Sequence, residues 1–136
     1  MTPGSVFFDR DFHFHDGVSG EKLFVVLGFK DGVAVVAKTT SKQHGRGNVY
    51  GCQPEDRFPN FHLPLHTCYL QKTIWVCLDV YYELKASEAL QKKFSGVISD
   101  ICTLDAAILK ELQECAVDSL DISEAQETIV RSSMKQ

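Results

Sequence analysis

The side chains best suited to chemistry lie in two short segments near the start of the chain. Lys22 follows a glycine-punctuated loop and enters an apolar run, and His15 and Glu21 flank that loop. A second apolar run ends in Thr40 and Ser41. If the two runs are neighbouring strands, an ammonium group and hydroxyl groups meet at one end of the pair. That combination is suited to holding a phosphate.

Cleavage of a phosphodiester without a metal needs a hydroxyl aligned on the phosphate, proton transfer, and stabilisation of the extra negative charge on the phosphorane. Fixed cations and hydrogen-bond donors provide that stabilisation, and Lys22 and Thr40, with Ser41 adjacent, are the candidates for it. His15 and Glu21 are the candidates for proton transfer. The ordinary alternatives are a solvated loop histidine, an exposed lysine at a strand edge and hydroxyls that merely end a strand.

The distribution of charge is more informative than its total. The net charge of −4 argues against binding a polyanion, because cationic contacts supply much of nucleic-acid affinity. However, residues 1–85 hold nine basic and nine acidic side chains, whereas residues 86–136 hold five and nine. The N-terminal part also contains a run of basic residues with no intervening acid, which we predict to contact RNA: Lys38, Lys42, His44 and Arg46.

Hydrophobic periodicity predicts strands first and helices last. Residues 24–28 and 33–37 read as a hairpin around an Asp-Gly turn, and residues 74–83 alternate as one long strand. Residues 43–66 read as a long irregular connection with one short strand near 61–63.

After residue 84 the period changes to that of helices. We predict helices over 86–98, with Ser87 as its cap, and from Thr103 onward, and a short one opened by a capping box at Ser123. This order indicates an α+β fold: a small curled antiparallel sheet or SH3-like barrel followed by C-terminal helices. We expect a single domain over 1–136, strand-rich over 1–85, helical over 86–130 and frayed over 131–136.

Five short segments resemble, in order, those of the MazF/PemK toxin endoribonucleases: P-G-S-V-F-F at 3–8, F-H-D-G at 14–17, E-K-L-F-V-V-L at 21–27, T-T-S-K at 39–42 and L-Q-K-T-I-W-V at 70–76. The resemblance covers roughly residues 3–84. It implies a MazF/PemK-like SH3-like barrel and a cytoplasmic toxin of a toxin–antitoxin system. The implied activity is an endoribonuclease, an RNA hydrolase that cleaves single-stranded RNA by metal-independent attack of the 2′-hydroxyl on phosphate.

The resemblance also implies roles and partners. Lys22 stands where the family has an arginine as cation and acid, and Thr40 stands at its hydroxyl position. The family's Arg-Pro is Lys22-Leu23 here, and lysine lacks the bidentate guanidinium fork, so we expect slower chemistry or a different proton carrier. The expected partners are single-stranded RNA, an antitoxin protein and a second copy in a homodimer, with no cofactor, no metal and no membrane.

Two alternatives remain open. One is a catalytically weakened relative that serves as a nucleic-acid- or protein-binding module. The other is a cupin-like metal protein, because His13, His15, Glu21 and Gly28 come within one residue of a cupin metal motif.

The five cysteines and the hydropathy pattern bear on location. The cysteines are odd in number, widely spaced and free of a C-x-x-C pair, which favours free thiols over disulfides or a metal cluster. No secretory apolar region and no span of about 20 apolar residues is present. Both observations predict a cytoplasmic protein.

Overall fold

The computed structural model describes residues 1–67 and 72–134. Within these residues the chain forms eight strands and three helices. In chain order the elements are β1 (Ser5–His13), β2 (Ser19–Lys30), β3 (Val33–Thr40), β4 (Gly51–Gln53), β5 (Asn60–Leu63), β6 (Ile74–Cys77), β7 (Tyr82–Lys85), α1 (Ala86–Phe94), β8 (Ile98–Thr103), α2 (Ala106–Val117) and α3 (Glu124–Ser132).

The predicted hairpin is confirmed as β2 and β3, which pair antiparallel. Its turn residues Asp31 and Gly32 have φ values of 53° and 78°. A two-residue hairpin turn that matches the twist of the strands needs φ above zero at both positions, and Asp-Gly meets this requirement with little strain. The local sequence therefore sets the hairpin and the pairing next to its turn, and a register shift between Val26 and Gly28 sets the pairing farther along.

All eight strands join one antiparallel sheet in the order β4-β5-β6-β3-β2-β1-β8, with β7 also paired to β3. The α+β class is thereby confirmed. Over residues 1–67 and 72–134 the sheet does not close into a barrel, since β4 and β8 lie at opposite ends of it.

Each side of the sheet carries its own core. On one side α2 and α3 pack over the buried side chains of β2, with Leu112 and Val130 fully buried. The other side holds an aromatic cluster around Phe24 and Tyr82, whose ring centroids lie 6.1 Å apart, and Ala89 of α1 packs against this cluster. The candidate site lies where the β2–β3 hairpin extends beyond these cores.

Several predicted elements differ from the observed ones. The long strand over 74–83 is wrong: β6 and β7 both pair with β3, in registers that do not match, so residues 78–81 leave the sheet between them. The structure adds β4 within the connection over 43–66 and confirms the strand near 61–63 as β5.

The helical part also contains a strand. The predicted helix over 86–98 ends at Phe94, and β8 follows because its residues complete the edge of the sheet beside β1. The N-cap positions are Lys85 and Asp105 rather than Ser87 and Thr103, and the Asp105 side chain accepts a hydrogen bond from the Ala107 N–H whereas Lys85 makes no side-chain cap. The capping box at Ser123 is confirmed, and α3 continues to Ser132, into the stretch that we expected to fray.

The prediction that every cysteine is a free thiol is wrong. Cys52 in β4 and Cys115 in α2 form a disulfide, with their Cα atoms 5.7 Å apart. Cys102 is also disulfide-bonded, and Cys77 is a buried free thiol. Cys68 lies outside the described residues. The pairing depends on α2 packing against β4, a tertiary contact that cysteine spacing does not reveal.

No helix in the described part of the chain is both long enough and apolar enough to cross a membrane.

Candidate functional site

The β2–β3 hairpin brings Lys22 and Thr40 together at its open end. Phe24 pairs with Lys38 in the observed ladder, and continuing that register by two residues places Lys22 opposite Thr40. Residues directly opposed in an antiparallel pair point to the same side of the sheet. The Thr39 hydroxyl donates a hydrogen bond to the Leu23 carbonyl at 3.0 Å, so the strands remain joined near this end.

Lys22 and Thr40 line a common cavity of about 700 Å³, which we call the hairpin-end cavity. Glu21, Ser41 and Lys42 line it as well. Lys22 and Thr40 are half-buried, whereas the other three side chains are exposed. A ligand that enters this cavity from solvent therefore meets residues of both strands. The remaining lining residues are Phe8, Leu23, Thr39, Lys72, Ile74 and Ile101.

A second cavity of about 360 Å³, the aromatic cavity, also has Lys22 in its wall. Its other lining residues are Phe14, His15, Asp16, Lys38, Val80 and Tyr82. His15 is exposed, and its ring centroid lies 4.5 Å from that of Tyr82. His15 thus lines a different cavity from Thr40 and Ser41, and Lys22 lines both.

The electrostatic environment of Lys22 combines burial with neighbouring positive charge. Burial lowers the pKa of Lys22 below the ordinary lysine value, and Lys38, Lys42 and Arg46 lower it further, while the Cys77 thiol acts in the opposite direction. Lysine and arginine side chains that influence one another in this way concentrate positive potential. Such a surface attracts an anion, although it makes each ammonium group easier to deprotonate.

Arg46 is held by the loop that follows β3. Its Nη1 donates to the carbonyls of Lys42 and Gln43 at 3.4 and 3.3 Å, and its guanidinium lies 5.2 Å from the centre of the Phe58 ring. Arg46 lines neither cavity, so it contributes charge rather than a wall. His44 is exposed, has a φ of 45° and also lines neither cavity.

The same loop is anchored to the sheet through Gly47. The Trp75 indole donates to the Gly47 carbonyl at 2.7 Å, and the Gly47 N–H donates to the Asp56 carboxylate at 2.9 Å. A hydrogen bond from the Lys42 N–H to the Thr40 hydroxyl, at 3.2 Å, orients the Thr40 oxygen at the start of the loop. The Thr40 hydroxyl accepts in this bond, so its own proton is available for a ligand.

The sequence predicted that Lys22 and Thr40 of the hairpin meet, but it did not predict the residues from elsewhere in the chain that line the two cavities. Lys72 of the hairpin-end cavity, and Asp16 and Tyr82 of the aromatic cavity, were not singled out as site residues. Lys72 and Asp16 lie inside the segments that carry the family resemblance, and that position was the signal that could have marked them as site residues. Tyr82 reaches the site only because β7 pairs with β3.

The metal-site alternative gains no support. Across residues 1–67 and 72–134, no group of three or more His, Cys, Asp or Glu side chains is placed to hold a metal ion. His13 pairs through its backbone with Ser19, and its ring is 3.9 Å from the Asp11 carboxylate. Gly28, the last position of the cupin-like pattern, lies against the backbone of α3 instead.

The chain matches no protein-family model, and no curated protein is significantly similar to it. The MazF/PemK-like assignment therefore stays a prediction from the ordered segments.

Proposed function

We propose that this protein is a MazF/PemK-like toxin endoribonuclease that cleaves single-stranded RNA without a metal, on an SH3-like sheet. The observation that supports the proposal most directly is the common cavity of Lys22 and Thr40. Lys22 and Thr40, both half-buried and on adjacent strands, line the same solvent-reachable space.

In the proposed reaction the RNA phosphate lies against Lys22, with Thr40 and Ser41 donating to its non-bridging oxygens. The 2′-oxygen forms a bond to phosphorus, the bond from phosphorus to the 5′-oxygen breaks, and a 2′,3′-cyclic phosphate results. A base takes the 2′-hydroxyl proton and an acid gives a proton to the departing 5′-oxygen. Lys22 and the hydroxyls stabilise the charge that develops between these events.

The positions of Glu21 and His15 suggest how the two proton transfers are divided. Glu21 lines the hairpin-end cavity with Thr40, so we assign it the role of base. His15 lies on the other side of Lys22, in the aromatic cavity, and we assign it the role of acid. Under this assignment Glu21→Gln and His15→Ala each slow cleavage.

The test is cleavage of a long unstructured RNA in excess chelator. We expect a ladder of fragments ending in 2′,3′-cyclic phosphate from the wild type, about 100-fold slower cleavage by Lys22→Ala and about tenfold slower cleavage by Thr40→Ala. Lys30→Ala, an exposed lysine at the far end of β2, and Thr2→Ala are the matched controls and should cleave at the wild-type rate. Equal cleavage by all five proteins would remove this cavity from the mechanism.

A catalytically weakened binding module is the second candidate. The lowered pKa of Lys22 favours it, because a lysine that loses its proton more easily stabilises the developing charge less well than an arginine. Intact binding of single-stranded RNA, with no cleavage by the wild type or by Lys22→Arg, would support the module over the enzyme.

The homodimer, the antitoxin partner and the cytoplasmic location belong to the same proposal and depend on the family resemblance. Light scattering tests the dimer. The disulfide between Cys52 and Cys115 bears on location, since disulfides are rare in cytosolic proteins. Counting free thiols in protein extracted under alkylating conditions tests the location and the bond together.

A further inference from the structure

We propose that the aromatic cavity binds a guanine base of the RNA, next to the phosphate held at Lys22. This inference rests on the proposed function and names the substrate more closely. Lys22 lines both cavities, so a nucleotide whose phosphate contacts Lys22 has the aromatic cavity within reach of its base.

The walls of the aromatic cavity are suited to a flat ring. Phe14 is half-buried and stands edge-on to Tyr82, with their ring centroids 6.1 Å apart. The exposed His15 ring is tilted against Tyr82, with a centroid distance of 4.5 Å. Single-stranded RNA is recognised through bases that stack on aromatic and histidine rings, and the hydrogen bonds along the base edge then give the sequence preference.

The polar groups of the cavity favour guanine over the other bases. Among the described residues that line the cavity, Asp16 provides the only carboxylate, and Lys22 and Lys38 provide ammonium groups. The Asp16 Oδ1 accepts a hydrogen bond from the Val18 N–H at 3.0 Å, which fixes the carboxylate on its loop. Among the described residues Oδ2 accepts no hydrogen bond, so it remains for a ligand.

Guanine presents two adjacent donors, N1–H and the N2 amino group, beside the acceptors O6 and N7. A carboxylate accepts both donors, and an ammonium group donates to the acceptors. Lys38 is well placed for the second role, with its Nζ 5.9 Å from the centre of the Phe14 ring. Adenine and cytosine each offer one amino donor beside an acceptor nitrogen, which faces the carboxylate unfavourably. Uracil offers a single N–H between two carbonyls.

The test measures binding rather than cleavage. The probes are pentanucleotides made wholly of 2′-deoxyribose, which cannot be cleaved by 2′-attack. They carry uracil at every position except the central one, which is guanine, hypoxanthine, adenine or cytosine. We expect fluorescence anisotropy to show guanine bound at least tenfold more tightly than adenine. Hypoxanthine, which lacks the N2 amino group, should bind with intermediate affinity.

Asp16→Asn should bring the four affinities to within a factor of two of one another, because the amide retains the shape but not the charge of the carboxylate. Asp11→Asn, an exposed acidic residue outside the cavity, is the matched control and should keep the guanine preference. Equal affinities for the four bases in the wild type would overturn the inference. A guanine preference that persists in Asp16→Asn would overturn it as well.

These outcomes are separable from the failure of the proposed function. A guanine preference that depends on Asp16, in a protein that cleaves no RNA, would support the base pocket and overturn the nuclease. RNA cleavage that depends on Lys22, with no base preference, would support the nuclease and overturn the pocket.

Discussion

The disulfide between Cys52 and Cys115 makes the largest quantitative prediction for stability. The bond closes a loop between residues 63 positions apart in the sequence. In the chain-entropy description, a crosslink across a loop of this length stabilises the folded state by about 4 kcal/mol, chiefly by restricting the unfolded chain. Because single domains are stable by about 5–15 kcal/mol, this is a large part of the total.

The double variant Cys52→Ser with Cys115→Ala removes the bond. Serine replaces Cys52 because that residue is exposed, and alanine replaces Cys115 because that residue is buried. Urea unfolding without reductant should show the free energy of unfolding lowered by about 4 kcal/mol. Cys77→Ala is the matched control, since it removes a buried sulfur without breaking a crosslink. It should cost about 1 kcal/mol.

The contact between β4 and α2 should survive partly in the double variant, because the Tyr50 hydroxyl also donates to the Glu111 carboxylate at 2.5 Å. If the double variant lowers the free energy of unfolding by less than about 1 kcal/mol, the chain-entropy description does not hold for this crosslink. Five reactive thiols in the denatured, unreduced wild type would refute the bond itself.

Three further predictions concern Lys22, Gly28 and Lys92. Burial lowers the pKa of Lys22 below 10.5, so RNA cleavage that needs the ammonium form should decline as the pH rises through that lowered value. Lys22→Arg should move this decline to higher pH, and an unchanged alkaline limb in its pH–rate profile would contradict the cationic role. A Cβ on Gly28 would come within 2.7 Å of the Val130 Cα in α3. Gly28→Ala should therefore lower the free energy of unfolding in urea by about 2 kcal/mol. An unchanged free energy would show that α3 does not pack there. Lys92→Met leaves the buried Asp9 carboxylate without the ammonium group 2.5 Å away. The free energy of unfolding, measured by heat or urea, should fall by about 3 kcal/mol and recover in part when Asp9→Asn is added. No recovery would argue against the ion pair as the cause.

Features encoded within a few neighbouring residues could be predicted from the sequence. The Asp31-Gly32 turn requires a backbone conformation that few dipeptides adopt, and the capping box at Ser123 satisfies N–H groups within one helical turn. The proximity of Lys22 and Thr40 follows only in part from the turn, because a register shift between Val26 and Gly28 separates the turn from this end of the hairpin. Without the shift, Lys22 would lie opposite Ser41.

Features decided by distant contacts were missed. Residues 98–103 carry no strong local preference, and they form a strand because the edge of β1 is available to pair with them. The break between β6 and β7 reflects two incompatible registers on β3, which alternation in the sequence does not show. The place of Tyr82 in the aromatic cavity likewise depends on the pairing of β7 with β3.

The most direct test of the central claim is a double-mutant cycle on RNA cleavage with Lys22→Ala and Thr40→Ala, measured in chelator under single-turnover conditions. Because both side chains are proposed to act on one phosphate, the combined variant should be about tenfold more active than the product of the two separate losses predicts. A loss of activity in the combined variant that equals the product of the two separate losses, to within a factor of two, would contradict a shared site.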